Sequence, residues 1–167
     1  MKDLLTEKDG PITAGDTRYM RFFPANASYR VVADYTPTYG ARPFLVPTHS
    51  GKQKAFKEYG LLKFTVNDTA VTLHLYQSVD LSGGGKKYLF LPFNDMTNYV
   101  LTYAGGRYLE IDETEILGGH VTLDFNKCYN PYCAYKDGYS CPIPPKENSL
   151  PIAIFAGEKM FAKNIGN

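Results

Sequence analysis

The sequence predicts an all-β domain, an antiparallel sandwich or barrel of about eight strands with short helical turns. Three observations carry this reading. Several short runs alternate apolar and polar residues with period two, glycine and proline fall between these runs, and no segment sustains a strong helical period.

In chain order, Ser28 to Tyr35 places Tyr29, Val31, Ala33 and Tyr35 on one face, with Arg30 and Asp34 on the other. Arg42 to Thr48 is a short extended piece held between Pro43 and Pro47, which suits an edge. Ser50 to Gly60 and the first twenty residues have only a weak helical leaning. The run LLKFTV puts Leu62, Phe64 and Val66 on one side. After Asn67-Asp68, the run AVTLHLYQS puts Val71, Leu73 and Leu75 on one face and Thr72, His74 and Tyr76 on the other. Two alternating runs around Asn-Asp are the best hairpin signal in the chain. LSGGGKK reads as a flexible loop, because no Walker pattern and no helix-forming run accompany its glycines. KKYLFLPF reads as a strand stopping at Pro92, and NDMTNYVLTY as a helical turn. GGRYLEI, GGHVTLDFN and LPIAIFAG read as the remaining strands.

The length of 167 residues suits a single domain, with residues 1–25 as a polar N-terminal wrap and 26–160 as the β core. Eighteen basic and 17 acidic residues give a net charge of +1, and the basic residues are scattered. That balance offers no footprint for nucleic acid. No run approaches the roughly 18 apolar residues of a membrane span. The polar N-terminus lacks the apolar stretch of a signal peptide, which fits either a cytoplasmic chain or a mature form whose export signal has been removed.

The stretch from Asp124 to Asn148 holds all three cysteines, four tyrosines and four prolines. Cys128, Cys133 and Cys141, with four and seven residues between them, match zinc-site spacing poorly even with His120 as a fourth ligand. A catalytic thiol needs a neighbouring base, and His49, His74 and His120 are all distant in sequence. A structural pair, Cys133 with Cys141, is the remaining reading. It is a disulfide in an oxidising compartment and a pair of small buried thiols elsewhere. Around the cysteines, proline holds the backbone so that Asp124, Asn126, Asn130, Glu147 and Asn148 can present polar groups among tyrosines, as at the end of a sheet where binding sites gather.

The chain also carries a series of motifs: Phe22-Phe23-Pro24, Tyr29-Arg30-Val31, Tyr59-Gly60, Leu91-Pro92-Phe93 with Asp95, and Gly105-Gly106-Arg107-Tyr108. Further along come Asp124-Phe125-Asn126, Tyr129-Asn130-Pro131 with Cys133-Ala134-Tyr135, Cys141-Pro142 with Pro144-Pro145 and Glu147-Asn148, and Ala156-Gly157-Glu158-Lys159. In this order they resemble the bacterial and archaeal family known as domain of unknown function 1684. The resemblance implies that Cys128 is the odd cysteine, since relatives often carry a small residue there, and that Cys133 and Cys141 are the pair. It also implies a cell-envelope location rather than a cytoplasmic one, because an export or lipoprotein signal often precedes the domain in Bacteroidetes-like members. It implies no activity and no cofactor. What it adds is position, since its polar and aromatic motifs gather at Arg107-Tyr108 and from Asp124 to Asn148.

Two functions follow as expectations. In the first, the domain binds a small polar ligand or a partner in a pocket made by the 124–148 loop. Arg107 meets an anionic group, Tyr108, Tyr132 and Tyr135 form the walls, and Asp124, Asn126, Asn130, Glu147 and Asn148 supply the polar rim. In the second, the domain is a metal-independent hydrolase with Glu147 or Asp124 as general base and Arg107 facing a developing oxyanion. A structural or interaction role in a larger assembly is the remaining alternative. No metal or other cofactor is expected.

Overall fold

The computed structural model describes residues 10–79 and 88–163, so the Gly-rich loop expected at LSGGGKK lies outside the described residues. Seven strands form one antiparallel sheet: β1 (Arg30–Pro37), β2 (Phe44–Pro47), β3 (Gln53–Val66), β4 (Thr69–Ser78), β5 (Tyr88–Phe93), β6 (Arg107–Asp112) and β7 (His120–Asp124). Their order is β6-β5-β4-β3-β1-β7, and β2 pairs with the first part of β3. The sheet curls into a half-barrel. Its two end strands, β6 and β7, face one another across a cavity of about 430 Å³ lined by Leu109 to Ile111 and Thr122 to Asp124. Only short 3-10 turns, and no α-helix, occur among the described residues.

The β3–β4 hairpin forms where Asn67-Asp68 predicts it. Val66 pairs with Thr69, and the two turn residues have φ of 48° and 59°. That is the left-handed pair of a two-residue type I′ turn, which asparagine and aspartate tolerate better than other non-glycine residues. One bulge interrupts the hairpin, between Glu58 (opposite Tyr76) and Gly60 (opposite Leu75). The extra residue reverses the parity of β3. Before it, Phe56 and Glu58 share a face with Tyr76 and Ser78. After it, Leu62, Phe64 and Val66 share a face with Leu73 and Leu75.

This parity gives the sheet two different faces. The inner one buries Leu62, Leu73, Leu75, Leu89, Leu91, Leu109, Ile111, Val121 and Leu123 with Phe93 and Phe125. Each such side chain stabilises by about 1.5–3 kcal/mol, so this cluster is the main source of stability. The outer face carries a smaller aromatic cluster of Val46, Phe56 and Tyr76, with Phe44 and Phe90 against it.

Four expectations are corrected. The segment read as a weak helix from Ser50 is extended from Gln53, because its residues complete β3 against β2 and β4. β5 runs through Pro92 to Phe93. Pro92 costs no ladder bond there, because its partner Tyr108 turns its own N–H and carbonyl away from β5, toward Tyr129. The 94–103 stretch is a series of turns rather than a helical turn. Asp95 Oδ1 accepts from the amide (2.8 Å) and hydroxyl (2.6 Å) of Thr97, and Tyr99 adopts φ 71°. Finally, LPIAIFAG is not a strand, which leaves seven strands among the described residues. Some of its polar backbone groups are bonded to other backbone segments, and those of Ile154 and Ala156 are taken by side chains, as follows.

Candidate functional site

Arg107 shares the parity of Leu109 and Ile111 and so points inward. Its side chain is fully buried and pairs with buried Asp95 at 2.7 Å. The guanidinium also donates to the carbonyls of Ile154 (3.0 Å), Ala156 (2.5 Å) and Glu158 (3.2 Å). Asp95 Oδ1 accepts from the Ile154 amide at 3.2 Å. The ion pair thus takes the place of a neighbouring strand for residues 154–158. In contrast to the expectation, both terminal nitrogens of Arg107 are spent on the chain itself, and its buried Nε, which has no partner among the described residues, faces no open cleft. Gly106 and Gly157 flank this network with φ of 84° and 72°. A Cβ on Gly106 would meet Pro144 and the Phe93 carbonyl at 2.6 and 2.7 Å, and one on Gly157 would collide with Cys128.

Asn148 plays a similar part and is likewise fully buried. Its Oδ1 accepts from the His74 amide (2.7 Å), and its Nδ2 donates to the carbonyls of His74 and Pro92 (2.8 Å each). One side-chain amide thereby bridges β4 and β5 where their ladder has ended after two residue pairs. Asn130 is also wholly buried. Its amide donates to Glu158 Oε2 (3.0 Å), its Nδ2 donates to the Lys159 carbonyl (2.8 Å), and its Oδ1 has no partner among the described residues. Tyr135 is buried and donates its hydroxyl to Glu158 Oε1. Asn148 and Tyr135, expected at a ligand, bond to partners within the chain instead, and Asn130 does so through its amide and Nδ2.

The remaining expected residues surround open space. A cleft of about 770 Å³ lies on the outer face, between the sheet and the 126–142 loop. Phe56, Phe90 and Tyr108 form its floor. Tyr129, Tyr132 and Tyr139 come from the loop, and Phe22 from the N-terminal segment. Tyr108 stands edge-on to both Phe90 (4.7 Å) and Tyr129 (5.9 Å), and its hydroxyl donates to the Pro142 carbonyl at 2.5 Å. Burial raises its pKa, so it stays a phenol. Tyr132 packs edge-on to Tyr139 at 5.3 Å. The polar lining includes Asn126, Lys54, Lys127, Glu110 and Glu158. Neither lysine forms an ion pair with a described carboxylate. Glu110 Oε1 accepts the Tyr129 hydroxyl at 2.8 Å. Buried Glu158 has its pKa raised by burial, against the lowering effect of its bonds from Asn130 and Tyr135.

Asn126 is part of the cleft wall but is also tied to Asn26 by two reciprocal bonds of 2.9 Å. Asp124 belongs to the β6–β7 cavity. Its Oδ1 caps the next turn by accepting from the amide (3.1 Å) and Nδ2 (2.9 Å) of Asn126. Glu147 is exposed and accepts the Tyr76 hydroxyl at 3.0 Å. Asp124 and Glu147, the two candidate bases, thus bond different elements, and only Asp124 lines the β6–β7 cavity.

The three cysteines are buried free thiols. Cys133 and Cys141 are neighbours: the Cys133 amide donates to Cys141 Sγ (3.2 Å), and Cys133 Sγ donates to the Tyr139 carbonyl (3.0 Å). Burial, reinforced by the Cys133 side chain, pushes the Cys141 thiol up to about 12. Burial likewise puts Cys128 at about 11, and its Sγ donates to the Ala156 carbonyl. Neither value favours a thiolate nucleophile at neutral pH.

Sequence reasoning missed Asp95 and Glu158, although both stand in quoted motifs, and missed Lys54, Phe56 and Phe90. The first two were marked only by their places in those motifs. The last three carried no local signal, since only the curl of the sheet brings them under the loop.

The fold and the cleft define a curled antiparallel β-domain with an aromatic site on its outer face. The chain belongs to the family described as "Protein of unknown function (DUF1684)", whose profile matches residues 17–159. It is also similar to an uncharacterised protein of Haloarcula marismortui solved by solution NMR. The two share 30% identity over 95% of this chain and 86% of that one, with a TM-score of 0.74. No curated protein matches the chain. No helix among the described residues is long and apolar enough to cross a membrane.

Proposed function

We propose that this protein is a binding domain for a small molecule that enters the cleft under the 126–142 loop. The observation that carries the reading is the cleft itself. Its volume falls within the range of ligand sites, and seven aromatic rings line it together with polar groups that include Lys54 and Lys127. The rings suit a ligand with a flat or apolar body, which they would hold by area and by edge-to-face contacts. Lys54 and Lys127, neither in an ion pair, suit an anionic group on that ligand. Lys54 and Lys127 replace Arg107 as the anion partners of the binding reading.

Anilinonaphthalene sulfonate, an aromatic anion, tests this directly by fluorescence titration of the folded protein. Saturable binding is expected, weakened about tenfold or more by Tyr132→Ala and by Lys54→Ala, a loss of about 1.4 kcal/mol each. Circular dichroism of each variant would show that the fold is retained. Absence of saturable binding, or binding unchanged in both variants, overturns the reading.

A further inference from the structure

On the outer face, beside the bulge of β3, five residues are arranged around one imidazole, that of His74. His74 Nδ1 lies 2.6 Å from Glu58 Oε2, and Thr38 donates its hydroxyl to Glu58 Oε1, also at 2.6 Å. The Tyr76 ring lies nearly parallel to the His74 ring, 17° apart with centroids at 6.4 Å. The Tyr76 hydroxyl is itself fixed by Glu147 at 3.0 Å. Asn148 clamps the backbone N–H and carbonyl of His74. Backbone, ring plane and one ring nitrogen are therefore all held. Nε2 has no hydrogen bond to any described residue, and the side chain is 29% exposed.

The tautomer follows from Glu58. Burial works to raise its pKa, but the bonds from Thr38 and His74 outweigh burial and leave it below the ordinary glutamate value. It is thus ionised at neutral pH and can only accept, so Nδ1 carries the proton. The lone pair of the neutral ring then sits on Nε2, the atom left accessible. A histidine oriented in this way through a carboxylate is a pre-organised proton acceptor. Bulges commonly re-aim side chains beside active sites, and the bulge here sets Glu58 opposite Tyr76, within reach of His74.

We propose that His74 is the general base of a second site, distinct from the aromatic cleft, that activates water against a neutral ester. The titratable groups fixed around the ring are Glu58 from β3, Tyr76 from β4 and Glu147 from the turn after Pro145. The two carboxylates disfavour an anionic substrate, so the class tested is an uncharged acyl compound. In the step, Nε2 takes a proton from water as the water oxygen bonds to the acyl carbon. The tetrahedral adduct then expels the alkoxide, which recovers the proton from the imidazolium. The products are a carboxylic acid and an alcohol. His74 is the catalytic residue; Glu58, Thr38, Tyr76 and Asn148 are positioning residues.

The probe is p-nitrophenyl acetate, with release of nitrophenolate followed on the full chain. The expected rate exceeds that of the same concentration of free imidazole by about a hundredfold or more, the low end of the usual gain from a positioned base. It rises with pH to a plateau. His74→Gln abolishes the excess. His120→Gln keeps it, although His120 also has a carboxylate partner, Asp34 at 3.0 Å. Glu58→Gln lowers the plateau rate with the fold retained, and Glu58→Asp restores part of it. A purely structural Glu58 would change thermal stability and leave the rate of the folded protein alone. A wild-type rate no greater than that of His74→Gln, with both proteins folded by circular dichroism, overturns the proposal. So does an excess that disappears equally in His120→Gln.

Discussion

Arg107 and Tyr108 are adjacent in sequence and belong to opposite faces of β6. Arg107 enters the aliphatic interior, pairs with Asp95 and ties down residues 154–158. Tyr108 turns to the outer face and becomes part of the floor of the aromatic cleft. The inner face is packed, mainly aliphatic and pinned by one buried ion pair. The outer face is aromatic and partly open, and the two lysines of its cleft form no ion pair with a described carboxylate. The contrast shows that a motif of polar residues need not be one site, because strand alternation divides such a motif between fold and function.

Breaking the inner pin is expected to have the largest effect. Asp95→Ala leaves the Arg107 charge buried and unpaired, and urea denaturation is expected to show a loss of about 3–5 kcal/mol. Asn148→Ala comes next. It removes the bonds to His74 and Pro92, and about 1–3 kcal/mol should be lost with the buried backbone groups unsatisfied. A drop within experimental error for either variant would remove the distinction between a pinned and an open face.

Glu158 lies at the junction of the two regions and gives a pH test. Its folded-state pKa is raised above 4.5 by burial. Its contribution is therefore complete below the unfolded value and is lost as pH rises through the folded value. Thermal melts from pH 4 upward are expected to show Glu158→Gln gaining on the wild type as pH increases. Parallel curves would mean that the carboxyl is not strained by burial. Tyr132→Ala, on the cleft side, is expected to change stability by no more than about 0.5 kcal/mol while it weakens the dye. A large stability loss there would make Tyr132 part of the core rather than of a site.

Particular residues show how far the sequence can be read. The Asn67-Asp68 turn, the inward set of Leu62, Phe64, Val66, Leu73 and Leu75, and the inward set of Val121, Leu123 and Phe125 were all legible, because hydrophobic alternation and turn chemistry act over a few residues. LPIAIFAG has the same local pattern and is not a strand: the Ile154 and Ala156 carbonyls are satisfied by a guanidinium some 50 residues earlier rather than by a neighbouring strand. The 124–148 loop was expected to form a pocket, and residues within 126–142 line the outer cleft. Which of its residues face that cavity was not legible: Tyr132 and Asn126 line it, whereas Asn130 and Tyr135 turn inward to Glu158.

By itself, then, the sequence determined the β class, the main hairpin, the family and the loop that roofs the cleft. Each of these rests on local periodicity or on the identity of a short motif. Only the tertiary structure decided that Arg107 serves the core, that Phe56 and Phe90 meet the tyrosines of a distant loop, and that Glu58, Thr38, Tyr76 and Asn148 fix one histidine. Those pairings depend on strand order, on the curl of the sheet and on one extra residue in β3, none of which leaves a periodic trace along the chain.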